Sequence, residues 1–190
     1  MKKVLSLLLC LVVVLSTLSV ISCSSKHPIE KIGDRMIAEK NFKMVMTMYD
    51  IPKYGTVTLT MEFDRNIAHV SASDEEFYLE EIDDKTFTYA KSSYEQEWKK
   101  YPNSSPNEDY YSADFANPFF DSEKYKEIEG EENTYKQKES VKFDDFENVI
   151  ITINDDESCA IRGIMSSTDI EFKIVISKIG EIDLTLPEVG

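Results

Sequence analysis

The chain has 190 residues, and 36 acidic against 21 basic side chains give it a formal charge of −15 at pH 7. That surface repels phosphate backbones and anionic bilayers, which excludes nucleic-acid binding from the expected functions. Apolar residues make up 42% of the sequence, enough for one domain with a real core.

Lys2 and Lys3 make a cationic start, and Val4 to Ile21 is apolar apart from small Ser, Thr and Cys residues. A charged start, an apolar run and small residues at its end form an export signal. The ending Val20-Ile21-Ser22-Cys23 resembles a bacterial lipobox. That resemblance implies a diacylglyceryl group on the Cys23 thiol and cleavage between Ser22 and Cys23. The thiol is the only strong nucleophile nearby. Two other readings stand beside it: an uncleaved membrane helix, near the short limit of ~17 residues for a span, and an ordinary cleaved signal with an incidental cysteine. The expected organisation is a signal over 1–22, a lipidated N-terminus and tether over 23–28, and a single domain over 29–190. Removing 22 of the 190 residues leaves 168, with 19 basic against 36 acidic residues, a net charge of about −17. Cys159 is then the only cysteine besides the anchor, so no intrachain disulfide is available within the domain.

Pro28 can open a helix, and Ile29, Ile32, Met36 and Ile37 share one face at helical spacing, which predicts an amphipathic helix over 29–40. The period then changes to two. Phe42, Met44, Met46 and Met48 alternate with Lys43, Val45, Thr47 and Tyr49. After a turn-like Asp50 to Gly55, the residues Val57, Leu59, Met61 and Phe63 alternate with Thr56, Thr58, Thr60 and Glu62. This is a β-hairpin. Strands over 67–73, 76–82 and 86–92 extend it into a five-stranded antiparallel meander. Trp98 to Ser112 is polar, with Pro102 and Pro106, and reads as a loop. Asn117-Pro118 looks like a capped helix start, which predicts a helix over 118–129 that Gly130 would stop. Strands return over 134–141, 148–153, 158–165, 169–177 and 182–186. Apolar side chains occupy one face of nearly every strand. The fold class is therefore α+β: one large curved antiparallel sheet, a half-barrel of about nine to ten strands, covering a few short helices on its concave side.

The order of elements resembles the LolA-like half-barrel family, which includes lipoprotein carriers and mycobacterial lipoproteins of the LppX and LprG type. Phe87-Thr88-Tyr89 leading to Trp98-Lys99-Lys100-Tyr101 is similar to the aromatic strand and tryptophan before the family's central loop. Asn117-Pro118-Phe119-Phe120 through Glu129-Gly130 is similar to its central helix. Ile176 to Pro187 is similar to its closing strands and terminal Leu-Pro. The resemblance spans about residues 29–187. It implies a cavity between sheet and helices that takes acyl chains. The strong negative charge and shorter central helices depart from the family pattern.

Phe42, Met44, Met46 and Met48, facing Val57, Leu59, Met61 and Phe63, form the leading candidate for a ligand wall, joined by Phe119 and Phe120. Methionine adapts to irregular apolar shapes, so such a wall suits lipid tails, and equally suits an ordinary core. Trp98, Tyr101, Tyr110, Tyr111, Phe115, Phe119 and Phe120 could form a lid, a partner surface or a pinned loop. The acidic clusters lack the ligand spacing of calcium loops and read as turns and solvated faces. His27 and His69 have no second His or Cys beside them, so no metal and no cofactor is expected. No Gly-x-Ser-x-Gly, P-loop or dinucleotide fingerprint is present, and no enzyme is expected. The sequence thus points to a lipid-anchored extracytoplasmic lipoprotein, inner or outer membrane unspecified, that binds a lipid or acyl chain. The alternative is a surface lipoprotein with a filled core, acting as an interaction, sensor or regulatory module for an unidentified protein partner. Cys23→Ala should abolish incorporation of a labelled fatty acid and leave the signal uncut; persistent labelling of that variant would overturn the anchor.

Overall fold

The computed structural model describes residues 26–73, 75–83, 85–91, 97–102 and 113–190. The signal 1–22, Cys23, Tyr110, Tyr111 and the side chain of Phe115 lie outside the described residues. A curved, open antiparallel sheet of eleven strands dominates the fold. Its strands are β1 Asn41–Ile51, β2 Gly55–Asp64, β3 Ile67–Ala72, β4 Glu75–Ile82, β5 Lys85–Ala90, β6 Lys99–Pro102, β7 Tyr125–Glu127, β8 Thr134–Gln137, β9 Phe146–Ile153, β10 Cys159–Met165 and β11 Ile170–Ser177. Their order across the sheet is β6-β5-β4-β3-β2-β1-β11-β10-β9-β8-β7. Two meanders therefore meet at a seam where the first strand pairs with the last.

The alternation that predicts strands also fixes their register. Phe42 lies across from Phe63, Met44 from Met61 and Met46 from Leu59 on one side of β1. On its other side Met44 meets Ile176 and Met46 meets Ile174. A slip of one residue would turn this whole apolar set toward water. Helix α1, Pro28–Glu39, buries Ile29, Ile32, Gly33 and Met36 against the concave side. Its first turn is capped by His27, whose Nδ1 accepts the Ile29 N–H at 3.3 Å. Lys40 ends it in the left-handed region, at φ 47°, and turns the chain into β1. Gly33 lets the helix approach closely, since a Cβ there would stand 2.5 Å from Phe120 Cβ.

Four expectations change, and the sheet has eleven strands where nine to ten were expected. The strand expected over 134–141 ends at Gln137, because the chain turns there and the Val141 N–H donates back to Lys138 O at 3.0 Å. Residues 99–102, expected in a loop, form β6 and pair with β5 from Phe87↔Pro102 to Ala90↔Lys99. The expected helix over 118–129 is instead two short 3-10 segments, Ala113–Phe119 and Ser122–Lys124, followed by strand β7. Pro118 cannot donate to a continuing helix, and Asp121 caps only a single turn by accepting the Glu123 N–H at 3.1 Å. Tyr125 then enters the core at 4% exposure, which needs an extended backbone paired with β8. The expected strand over 182–186 joins no ladder, although Ile182, Leu184 and Leu186 are half-buried between exposed neighbours.

Side chains replace the ladder there. Asn41 Nδ2 donates to Ile182 O at 2.6 Å, and its Oδ1 accepts the Ile182 N–H at 2.7 Å. The same amide donates to Asp64 Oδ1 at 2.9 Å, and Asp64 Oδ2 accepts the Leu184 N–H at 3.3 Å. Asn41 is buried. Asn41→Ala should leave Asp64 and the Ile182 backbone short of partners, costing about 1–3 kcal/mol. Urea unfolding should report it as a lower midpoint with unchanged slope; an unshifted midpoint would show that this junction adds nothing.

Candidate functional site

The concave face is not uniform along the methionine stripe. At the end where β1 begins, Phe42 is 0% exposed and Met44 and Met61 are 1% exposed; Phe119, also 0% exposed, closes the core over Phe172, which lies across from Met48. No surface at these residues remains for a ligand to touch. The Phe42 and Phe63 rings sit 4.7 Å apart between centroids. Phe119 packs against Phe146 at 5.1 Å and Phe143 at 5.7 Å. Toward the β1–β2 hairpin and along β4 the packing loosens. Met46 is still buried, but Met48, Val57 and Leu59 are half-buried, as are Phe77 and Leu79 on β4. The structure thus divides the expected lining set: Phe42, Met44, Met61, Phe63 and Phe119 close the core, while Met48, Val57 and Leu59 stand on a half-open apolar shelf.

Phe120 belongs elsewhere. It borders a groove of about 250 Å3 beside helix α1, with Lys26, Glu30, Asp34, Ile37 and Asp121 on its walls. Ion pairing of Lys26 with Asp34 and a hydrogen bond from Ser122 to Glu30 tie these walls together. Four charged side chains on its walls, Lys26, Glu30, Asp34 and Asp121, set the groove apart from an acyl channel.

A second cluster lies on the outer face, where alternation assigns polar residues. One row crosses six strands: Lys43, Glu62, His69, Tyr78, Tyr89 and Lys100. His69 stacks on Tyr78 at 4.5 Å, and Tyr78 meets the edge of Trp98 at 5.4 Å. Lys43 Nζ donates to Glu62 at 2.9 Å. His69 Nδ1 lies 3.5 Å from Glu62, while its Nε2, 3.4 Å from Glu76, is off the line of a hydrogen bond. Tyr89 donates to Glu80 Oε2 at 2.5 Å, and Lys100 adds a bond at 2.9 Å. Sequence reasoning left this cluster out. The available signal was the aromatic residues at the off-beat positions of β4 and β5, opposite in phase to the apolar stripe. Trp98 and Tyr101, read together from sequence, fall on opposite faces of the sheet by their pairing.

Protonation follows these contacts. The hydrogen bond from Lys43 holds the Glu62 carboxyl below the usual carboxylate range, against the opposing effect of burial. The Tyr89 hydroxyl does the same for Glu80, with help from Lys100. Burial pushes the Cys159 thiol up to about 12, so it is a packed core residue and poorly nucleophilic. A carboxyl held low in the fold stabilises it above the unfolded carboxylate pKa. That contribution is lost as pH falls through the folded value. Glu62→Gln should therefore lower the urea midpoint at pH 7, and the gap from wild type should narrow steadily toward pH 3. A gap independent of pH would remove the ion pair as its cause.

Among the described residues, no group of three or more His, Cys, Asp or Glu side chains is placed to hold a metal ion. None of the described helices is long and apolar enough to cross a membrane. No protein-family model matches the chain, and no curated protein matches it.

Proposed function

We propose that this chain is a lipoprotein, anchored through Cys23 at the extracytoplasmic face of a bacterial membrane, whose concave shelf binds an apolar chain such as a lipid tail. The observation that carries the reading is the half-open apolar shelf of Met48, Val57 and Leu59 at the hairpin end. Flexible methionine beside branched and aromatic side chains can adapt to a tail without a preformed tunnel. The lipobox supplies the address, and the short tether from Cys23 to helix α1 keeps the domain close to the bilayer. No catalytic step belongs to this reading. A second reading, a filled-core lipoprotein that works through a protein partner as a sensor or regulatory module, is favoured by the closed half of the core at Phe42, Met44, Met61 and Phe119.

The two readings separate in one experiment. The chain from Ser24 onward contains every residue of the core. Purified in that form, it should carry lipid detectable by mass spectrometry and should bind a dansylated fatty acid. Leu59→Glu should weaken that binding at least tenfold, because a carboxylate on the shelf must be desolvated by the tail. Absence of lipid and of probe binding in the folded wild type would remove the tail-binding reading and leave the partner module.

A further inference from the structure

The β1–β2 hairpin runs on past the sheet that carries it. β1 pairs with β11 no further than Met48↔Phe172, and β2 pairs with β3 no further than Leu59↔Ala72. Beyond those pairs the two strands continue beside each other alone, through Met48↔Val57 to Ile51↔Gly55. At ~3.4 Å per residue, the stretch from Met48 to Ile51 carries this ribbon about 10 Å beyond its last pair with β11. A tight turn closes it, with the Tyr54 N–H donating to Ile51 O at 3.0 Å. Pro52 and Lys53 are the central residues, and Lys53 takes φ 74°, as the third position of a type II turn requires.

The turn explains Pro52 and Gly55 but not Tyr54. Tyr54 is 77% exposed, the most open of the large apolar side chains among the described residues, and Tyr49 is 36% exposed. A Cβ built on Gly55 would meet nothing within 4 Å, so the tip stands clear of the domain. An aromatic ring there adds nothing to the core.

Charge narrows the partner. Across 47–61 the only charged residues are Asp50 and Lys53, in a chain with 36 acidic side chains. The ribbon is therefore neutral on balance, and a strongly charged partner would find little on it to pair with. A lipid headgroup layer fits. Tyrosine gathers at that depth, with its ring against acyl carbons and its hydroxyl in water. A lysine beside it can lay its stem along apolar surface and keep its ammonium at the headgroups. Glu75 and Asp169 are exposed at the same end of the sheet and restrict entry to the tip. The shelf of Met48, Val57 and Leu59 starts on this same ribbon, so a seated tip sets the shelf beside the tails.

We propose that the hairpin tip, Ile51 to Tyr54, seats in the headgroup layer of a lipid bilayer. The inference deepens the tail-binding reading and rests on it for the use of the shelf, while the seating of the tip is measured separately.

The chain from Cys23 onward holds two cysteines, and Cys159 is buried, so Cys23 can be coupled selectively to a maleimide lipid in phosphatidylcholine vesicles. Trp98 is the only native tryptophan, and Tyr54→Trp adds a reporter at the exposed tip. Bromine on the lipid tails quenches tryptophan on contact. With bromine near the glycerol end, the Tyr54→Trp protein should lose more emission than wild type. Bromine near the methyl end should quench it less, since an interfacial segment reaches only ~5–10 Å into the acyl boundary. Adding Leu59→Glu should leave that loss in place while it weakens fatty-acid binding. Equal loss in Tyr54→Trp and wild type, or none in either, overturns the proposal. So does a loss that vanishes with Leu59→Glu, because the quencher would then be lipid held on the shelf. Quenching at position 54 in a protein that binds no fatty acid upholds the seated tip and removes only the tail-binding reading.

Discussion

The pairing of β1 with β11 is the constraint on which everything else depends. Six residues of β1, from Lys43↔Ser177 to Met48↔Phe172, pair with the last strand of the sheet. Each meander alone is a run of local hairpins with one apolar face and nothing to cover it. Joined at the seam, they bring Met44 and Met46 beside Ile176 and Ile174 and create the surface that helix α1 and Phe119 cover. Closing so long a loop costs entropy that grows only slowly with length, so buried apolar surface at the seam can offset it. The Asn41 junction sits at the end of this seam, where β1, β2 and the segment after β11 converge. It secures a chain segment that has no ladder of its own.

The acidic excess shapes where charge is tolerated. Many carboxylates lie in turns, such as Asp155, Asp156 and Glu157, where solvent screens them. On the outer face of β2 to β6 the fold instead spends lysines. Lys43 of β1 meets Glu62 on β2, Lys91 at the end of β5 meets Glu76 on β4, and Lys100 of β6 reaches past β5 to Glu80 on β4. Exposed pairs of this kind contribute little individually, typically under about 1 kcal/mol. Their effect here is local: Lys91 and Lys100 lie over the Trp98, Phe87 and Tyr89 rings while pairing with glutamates of β4. The concave face is apolar and partly closed, while the outer face of β1 to β6 carries aromatic rings among paired lysines and glutamates.

The sequence makes most of this sheet legible because alternation is a strong signal in long strands. β1, β2 and β11 each carry four apolar residues in phase, and their ends are read within a residue or two. The losses have physical causes. β6 is Lys99-Lys100-Tyr101-Pro102, an edge strand whose lysines and proline protect it from further pairing and also erase its pattern. Asn117-Pro118 carries the composition of a helix start, but Tyr125 must reach the core, and tertiary packing overrides the local preference. The segment over 182–186 has the alternation of a strand, and its burial follows that alternation; only the hydrogen-bond partners differ, being the side chains of Asn41 and Asp64. The ligand wall was half legible. Apolar identity locates the face, but whether a residue there is sealed or half-open depends on what lies opposite it, which no single strand encodes.

That last distinction decides where a tail can bind. At Phe42, Met44, Met61 and Phe119 every apolar surface already has a partner, so a ligand would have to displace packed side chains. Opening such a core forfeits contacts at a cost comparable to creating a cavity, on the order of 24 cal/mol per Å3. A volume of a few methylenes would then consume much of what a tail gains on leaving water, at ~0.8 kcal/mol per CH2. On the shelf of Met48, Val57 and Leu59 the exchange is different. Those side chains already face solvent in part, so a tail laid over them removes water from two apolar surfaces at once and breaks no packing. A tail bound as proposed would lie on the β2 side of the hairpin end, since on the β11 side Phe172, across from Met48, and Phe119 already fill the core.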